Sequence, residues 1–178
     1  MHPVPSEIAA SPYASLMLDD GFLQGVMVLG NDDEGRLSWH AGSHVLFLCE
    51  GDQVCGTQDM AVRLDNMRFE GANPFTDLRA IGDGPVEVTR HYDWRDGYRY
   101  GIPVTGTIRR VGEELVEILE RPRNLVRYEE SLRGPGVTGT NTYWIDASTG
   151  QLWKSRQLVA PGIYADIVML KPYHRRTP

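Results

Sequence analysis

The sequence predicts one all-β domain, either a single antiparallel β-barrel or a barrel-like sandwich of about ten or eleven strands. Short runs of alternating apolar and polar residues, rich in aromatic and β-branched side chains, recur along most of the chain, as half-buried strands require. The 19 glycines and 11 prolines supply the many turns that such a fold needs. With 178 residues, the chain can bury roughly 70% of its unfolded surface, which is enough for one core.

The predicted strands follow one another through short Gly, Asp and Asn turns, which favour antiparallel neighbours. In the first third of the chain, strands are predicted at residues 13–18, 22–29, 36–39, 44–49 and 54–57. In the remainder, they are predicted at residues 86–94, 98–108, 114–120, 125–130, 141–146, 151–158 and 164–170.

Residues 58–85 interrupt this rhythm. Met60 and Leu64 lie four residues apart, which predicts a short helical turn near 59–66. We expect three parts in the chain: an extended N-terminal lead-in at 1–12, a single β domain at 13–173 and a flexible tail at 174–178.

The net charge of −6 and the lack of a basic cluster before the final residues argue against a nucleic-acid partner, because phosphate binding needs clustered positive charge. An acidic domain also finds no electrostatic attraction to anionic lipid. No segment approaches the 18 or more apolar residues of a membrane span. The first residues lack the features of a signal peptide, so the protein is either cytosolic or begins after a removed signal.

The only cysteines, Cys49 and Cys55, flank a predicted hairpin loop. A loop at Gly51–Gln53 would place them opposite each other, at a spacing close to that of a disulfide. The alternative is two small buried thiols. Two ligands alone do not make a zinc site, which normally takes four.

The closing stretch, residues 141–173, resembles the YjbF/GfcB family of group 4 capsule and exopolysaccharide lipoproteins. Its segments Asn141–Asp146, Gly150–Gln157 and Leu170–Pro172 are similar to the family's N-x-Y-W-x-D, G-x-x-W-x-S-x-Q and L-K-P patterns, in order and at suitable spacing. Weaker similarity extends upstream to about Gly21.

The resemblance implies an all-β, barrel-like domain, export to the periplasm and a role in polysaccharide secretion or assembly. It also implies anchoring of the natural precursor at the inner face of the outer membrane, through an N-terminal lipidated cysteine that this chain lacks. The oxidising compartment favours the disulfide between Cys49 and Cys55. No catalytic residue, cofactor or metal comes with the family.

Tyr143, Trp144 and Trp153 form a candidate binding set on adjoining strands, with Lys154 and Arg156 nearby. Tryptophan faces beside planar polar side chains suit sugar rings, whereas the alternative is that both tryptophans belong to the core. Strand alternation sends Tyr143 and Trp144 to opposite faces, so both cannot be core in a one-sided sheet.

Lysine is used only twice, at Lys154 and Lys171, against sixteen arginines. Because lysine is a compact point charge and arginine a planar fork, we hypothesise that at least one ammonium caps backbone carbonyls or a carboxylate at the barrel mouth. The alternative is two lysines whose stems merely cover apolar surface. Lys171 is therefore added to the candidate ligand- or partner-binding residues.

Three patterns favour other chemistry only weakly. His40 and His44 lack the Glu that a zinc protease motif places beside the first His. The acidic run at 32–34 lacks the remaining positions of a calcium loop. No spacing selects a glycosidase pair from the available carboxylates, of which we considered Asp93, Asp96, Glu117 and Asp146.

We therefore predict a non-enzymatic periplasmic protein that takes part in capsule or exopolysaccharide secretion or assembly through contacts with the polysaccharide or with export proteins. One alternative is an enzyme that modifies or cleaves the polymer. A second alternative is a carrier of an apolar ligand inside the barrel, which needs a large interior cavity.

Overall fold

The computed structural model describes residues 3–174 and contains one sheet of twelve antiparallel strands, which confirms the predicted all-β, barrel-like fold. The strands are β1 Ser15–Asp19, β2 Gln24–Asp33, β3 Arg36–Ala41, β4 His44–Cys49, β5 Gln53–Gln58, β6 Leu64–Glu70, β7 Val86–Trp94, β8 Arg99–Ile118, β9 Arg121–Gly134, β10 Val137–Ile145, β11 Leu152–Ala160 and β12 Ile163–Lys171. Outside the sheet lie the helix α1 Pro5–Ala10 and 3-10 turns at Glu50–Asp52, Pro74–Thr76, Leu78–Ala80 and Asp96–Tyr98.

The sheet curls until its two edges meet. Its strand order is β5-β4-β3-β2-β1-β12-β11-β10-β9-β8-β7-β6, so the edge strands β5 and β6 are neighbours in the chain. They contact each other without joining the hydrogen-bond ladder. We call this junction the seam.

Side chains close the seam in place of a ladder. The hydroxyl of Thr57 on β5 donates to the carbonyl of Val62 at 2.6 Å and accepts from the N–H of Leu64 on β6 at 3.0 Å. At the other end, the Asn73 amide donates to the carbonyl of Glu50 at 3.0 Å. Because exposed strand edges invite pairing with other chains, these contacts also protect the edge strands.

Alternating residues fill the interior, as the two-residue period of a strand requires. The wall contributes Leu16 and Leu18 from β1, Met27 from β2, and Ile167 and Met169 from β12, all nearly or fully inaccessible to solvent. These residues belong to one continuous apolar cluster in the interior.

Residues 59–66 are not helical, and this prediction was wrong. Leu64–Glu70 is instead a strand that pairs with β7, a strand that the sequence analysis missed. Asp59 adopts a positive φ of 52°, which ends the preceding strand in a bend and starts no helix. The four-residue spacing of Met60 and Leu64 is a weak local signal, which sheet pairing overrides.

The predicted lead-in is not wholly extended, because α1 occupies Pro5–Ala10 with a proline in its first turn. Residues 1–2 of the predicted lead-in and 175–178 of the predicted tail lie outside the described residues. Cys49 and Cys55 form a disulfide, with their Cα atoms 5.8 Å apart, beside the edge strand β5.

Strands β8 and β9 are the longest pair, and their far ends form a hairpin arm. Where the sequence analysis placed separate strands at 98–108 and 114–120, the structure has one strand of 20 residues with a bulge at Arg110–Gly112. Leu119 and Glu120, both at positive φ, make a two-residue turn to β9. We refer to residues 112–126 as the arm.

Candidate functional site

A buried polar network lies in the barrel interior. Arg90 on β7 forms an ion pair with Glu130 on β9, and their side chains are 2% and 0% exposed. The Glu130 carboxylate also accepts from the Tyr143 hydroxyl at 2.9 Å and from the Asn141 amide at 3.2 Å. A Cβ at Gly106 would lie 1.8 Å from a Glu130 oxygen, so only glycine leaves room for this carboxylate.

Two members of the network, Arg90 and Tyr143, stay protonated. Burial alone would lower the pKa of Arg90, but the charge of Glu130 raises it above its ordinary value. Burial and the Glu130 carboxylate raise the pKa of Tyr143 well above its ordinary value, so its hydroxyl stays protonated and donates. The guanidinium also lies 5.0 Å from the ring centre of Phe69 and 5.4 Å from that of Phe75. These contacts describe a structural network.

Gln157 on β11 ties the edge strand β5 to the opposite wall. Its side-chain carbonyl accepts from the N–H of Val54 at 2.9 Å, and its amide donates to the carbonyl of Asp52 at 2.9 Å. The same amide lies 3.0 Å from the Ser155 hydroxyl. The void beside Asp52 has no room for a water molecule, so this part of the interior is packed.

The arm lies over the outer face of β10, β11 and β12. Tyr143 and Ile145 point into the barrel, so Trp144 between them points outward. There it packs with Val116, Ile118 and Leu125 of the arm, and is only 8% exposed. Its indole N–H donates to the carboxylate of Glu114 at 2.7 Å.

Cations cover the rings of both outer tryptophans. Trp144 stands between its cross-strand neighbours Arg127 and Lys154, whose charged groups lie 5.7 and 4.7 Å from the ring centre. The Arg123 guanidinium lies 3.7 Å from the ring centre of Trp153. Since cations on an aromatic face are attracted to its quadrupole, the contact between Arg123 and Trp153 holds the arm against the wall. We call the residues Glu114, Trp144, Trp153, Lys154 and Arg123 the arm anchor.

The six predicted binding residues therefore separate. Trp144, Trp153 and Lys154 meet in the arm anchor, whereas Tyr143 belongs to the interior network. Arg156 pairs with Asp166 at 2.9 and 3.1 Å on the outer wall. Lys171 donates to the backbone carbonyl of Ser11 at 2.5 Å, and the hypothesis that a lysine caps carbonyls at the barrel mouth stays a prediction.

Sequence reasoning missed most of the interior network. Arg90 shares the inward face of its strand with Val88 and Tyr92, and an arginine within an apolar face signals a buried partner. Glu130 carried no comparable signal, because the adjacent Glu129 is equally acidic and points outward. Two members of the arm anchor, Glu114 and Arg123, were missed for the same reason, since they look like ordinary surface charges.

The residues considered for other chemistry take part in local structure. Asp93 accepts from Arg68 and from the N–H of Gly101, Asp96 pairs with Arg63, and Asp146 accepts from the N–H groups of its own turn.

His40 contacts the Ser38 hydroxyl at 2.9 Å, and His44 contacts the carbonyl of Asp59 at 2.5 Å. Asp32 accepts from the N–H of Gly35 at 2.9 Å, as turn aspartates do. Within residues 3–174, no group of three or more His, Cys, Asp or Glu side chains converges to hold a metal.

Two of the concave surfaces on the outside lie next to the arm and the seam. A groove of about 450 Å³ runs between the arm tip and the outer wall, with apolar residues Met17, Leu119, Val168 and Leu170 along it and Glu117 and Glu120 at its rim. A more polar cleft of about 580 Å³ lies beside the seam. Over the described range, no helix is both long and apolar enough to cross a membrane.

The fold and these surfaces define a class of protein: a nearly closed antiparallel barrel with a packed polar interior and an arm fastened to its outer wall. The family described as "Group 4 capsule polysaccharide lipoprotein gfcB, YjbF" matches residues 1–169. The chain therefore belongs to this family, as the sequence resemblance predicted.

Two proteins of Escherichia coli K12 are similar to the chain over most of its length. One is the uncharacterized lipoprotein GfcB, 26% identical over 171 residues, which span 93% of the chain and 79% of GfcB. The other is the hypothetical lipoprotein YmcC, whose crystal structure has a TM-score of 0.85 and 25% sequence identity, and covers 97% of this chain and 90% of YmcC. Membership of this lipoprotein family indicates a capsule-related protein of the cell envelope.

Proposed function

We propose that this protein takes part in the secretion or assembly of capsule or exopolysaccharide without catalysis, by using the arm to contact a protein of the export apparatus. We place it in the periplasm, with its natural precursor held at the outer membrane by an N-terminal lipid. The family and its lipoprotein relatives support this setting.

The observation that carries the proposal is the solvent face of the arm. Leu115 is 71% exposed and Val111, at the root of the arm, is 48% exposed, and they alternate along one strand face with Glu113 and Glu117. The opposite face is fixed by the arm anchor. A surface that is already ordered loses little conformational entropy when a partner binds, so it suits recognition.

The chemistry of this face indicates the partner. Apolar side chains flanked by Glu113, Glu117 and Glu120 complement a surface that carries apolar pockets between basic residues. Sugar stacking on Trp144 is less favoured, because cations and the arm occupy its surroundings.

The test substitutes an exposed apolar residue on the arm. We expect Leu115→Lys to abolish capture of export proteins from envelope extract and to reduce surface polymer in a capsule-producing strain that carries only this variant. The matched control is Tyr98→Lys, which alters an 84% exposed residue in a different loop. Equal capture by wild type and Leu115→Lys, at equal folding by circular dichroism, would overturn the proposal.

A second measurement addresses catalysis. Purified polymer incubated with the protein should keep its length and composition, because Asp93, Asp96 and Asp146, three of the four carboxylates considered above, serve structural contacts. Shortening or modification of the polymer by the pure protein would replace this proposal with the enzymatic alternative.

A further inference from the structure

We propose that the cleft beside the seam binds a carboxylate-bearing sugar unit of a polysaccharide, with Arg36 as the residue that recognises the carboxylate. This inference goes beyond the proposed function, because it concerns a different surface and a different kind of ligand. The cleft is lined by Arg36, Phe47, Thr57, Gln58, Asp59, Met60, Arg63, Asp65 and Arg95. Its volume of about 580 Å³ lies in the range of known small-ligand sites.

Two of the three arginines in the cleft are already neutralised. Arg63 pairs with Asp96 at 2.7 Å, and Arg95 pairs with Asp65 at 3.1 Å. In the described part of the chain, the Arg36 side chain has neither a carboxylate partner nor a hydrogen bond, and its contact is with an aromatic ring. Arg36 is therefore the cation in this cleft that remains available to an anion.

The position of Arg36 is set by its neighbours. Its guanidinium lies 3.8 Å from the ring centre of Phe47, which points outward from β4. A Cβ at Gly56 would come within 2.9 Å of the guanidinium, so glycine at this position leaves the space that Arg36 uses. The Arg36 side chain thus extends from β3 across β4 and β5, and these neighbours hold it in a single conformation.

A stacked guanidinium is well suited to a carboxylate. It keeps its in-plane N–H groups available, matches a carboxylate with two parallel hydrogen bonds and is weakly hydrated. Because stacking already restricts the side chain, less rotamer freedom is lost when the ligand binds.

The remaining polar residues favour a sugar over a more highly charged anion. Gln58 and Asp59 lie in the same cleft and present acceptors for hydroxyl groups. The Asp59 carboxylate also repels a ligand with several closely spaced negative charges. A unit with one carboxylate and several hydroxyls suits both Arg36 and these acceptors, whereas a polyphosphate carries several charges and offers almost no hydroxyl donors.

The test measures binding of a defined acidic oligosaccharide. A hyaluronan hexasaccharide, which alternates glucuronate with a neutral sugar, should bind the wild-type protein in calorimetry, and maltohexaose should bind at least tenfold more weakly. Arg36→Gln should weaken hexasaccharide binding about tenfold or more, since charge-assisted hydrogen bonds are lost. Arg36→Lys should also weaken it, because the charge is kept but the planar fork is lost.

Arg121→Gln is the matched control, because it removes the same charge from an exposed residue on the arm. No binding of the hexasaccharide by wild type, equal binding of maltohexaose, or an equal loss in Arg121→Gln would each overturn the inference. Leu115→Lys should bind the hexasaccharide as wild type does. Failure of the arm proposal and failure of the cleft proposal are therefore separate results.

Discussion

Gln157 supplies Val54 with the hydrogen-bond acceptor that a neighbouring strand would otherwise provide, although the two residues are 103 positions apart. Val54 lies on the edge strand β5, and Gln157 reaches it across the barrel interior from β11. The Gln157 amide also donates to the carbonyl of Asp52. One glutamine therefore satisfies two backbone groups, the N–H of Val54 and the carbonyl of Asp52, where the ladder ends. The side of β5 that faces away from its partner β4 is thereby fixed without a second strand.

We predict that Gln157→Leu destabilises the protein by about 1–3 kcal/mol, because a buried N–H and a carbonyl lose their partner. Urea unfolding monitored by tryptophan fluorescence measures this change. The control Gln58→Leu, at the exposed end of β5, should change the unfolding free energy by less than about 0.5 kcal/mol. Equal effects of the two substitutions would show that the cross-barrel bridge contributes nothing.

The interior ion pair gives a second prediction. Arg90→Met should lower the unfolding free energy by about 3–5 kcal/mol, because it leaves the Glu130 carboxylate buried without a countercharge. The double variant Arg90→Met with Glu130→Leu should recover much of this loss, since both charges are then absent. Arg133→Met, which removes an exposed pair with Glu87, should cost less than about 1 kcal/mol. A double variant no more stable than Arg90→Met would contradict this account.

The stability of the protein should depend on pH through Asp52. Burial raises the pKa of its carboxyl from 3.8 to about 6. Because the folded state binds this proton more tightly than the unfolded state, Asp52 destabilises the fold above pH 6, and this penalty disappears as the pH falls towards 4. The unfolding free energy of wild type, relative to that of Asp52→Asn, should therefore rise as the pH falls from 7.5 to 5.

Asp52 has a positive φ of 52°, which asparagine tolerates, so this substitution is a fair comparison. An exposed control, Asp83→Asn, should keep the wild-type pH dependence. Parallel pH profiles for wild type and Asp52→Asn would assign the pH dependence to another group.

The arm should loosen when its single indole hydrogen bond is removed. Trp144→Phe keeps an aromatic ring but loses the 2.7 Å bond to Glu114, so amides in residues 112–126 should exchange about tenfold faster. Hydrogen exchange followed by mass spectrometry resolves the arm from the barrel. Tyr164→Phe removes a hydrogen bond to the N–H of Thr140 and should leave arm exchange unchanged. Unaltered arm exchange in Trp144→Phe would mean that packing alone holds the arm.

Local sequence patterns predicted most strands and the closing three-stranded unit, because a half-buried strand needs alternation over only a few neighbouring residues. The turn at Asp146–Gly150 likewise depends on local properties, namely its Asp side chain and its Gly conformation. Residues 64–70 were missed, since Leu64, Met67 and Phe69 do not alternate cleanly and the strand depends on pairing with β7.

The sequence by itself determined an acidic all-β chain of this family, because composition, alternation and motif spacing are properties of short segments. Only the tertiary structure decided that Glu130 faces Arg90, that Gln157 reaches Val54 and that the arm covers Trp144. Each of these contacts joins residues on separate strands, and it exists only after curvature, bulges and barrel closure bring those strands together.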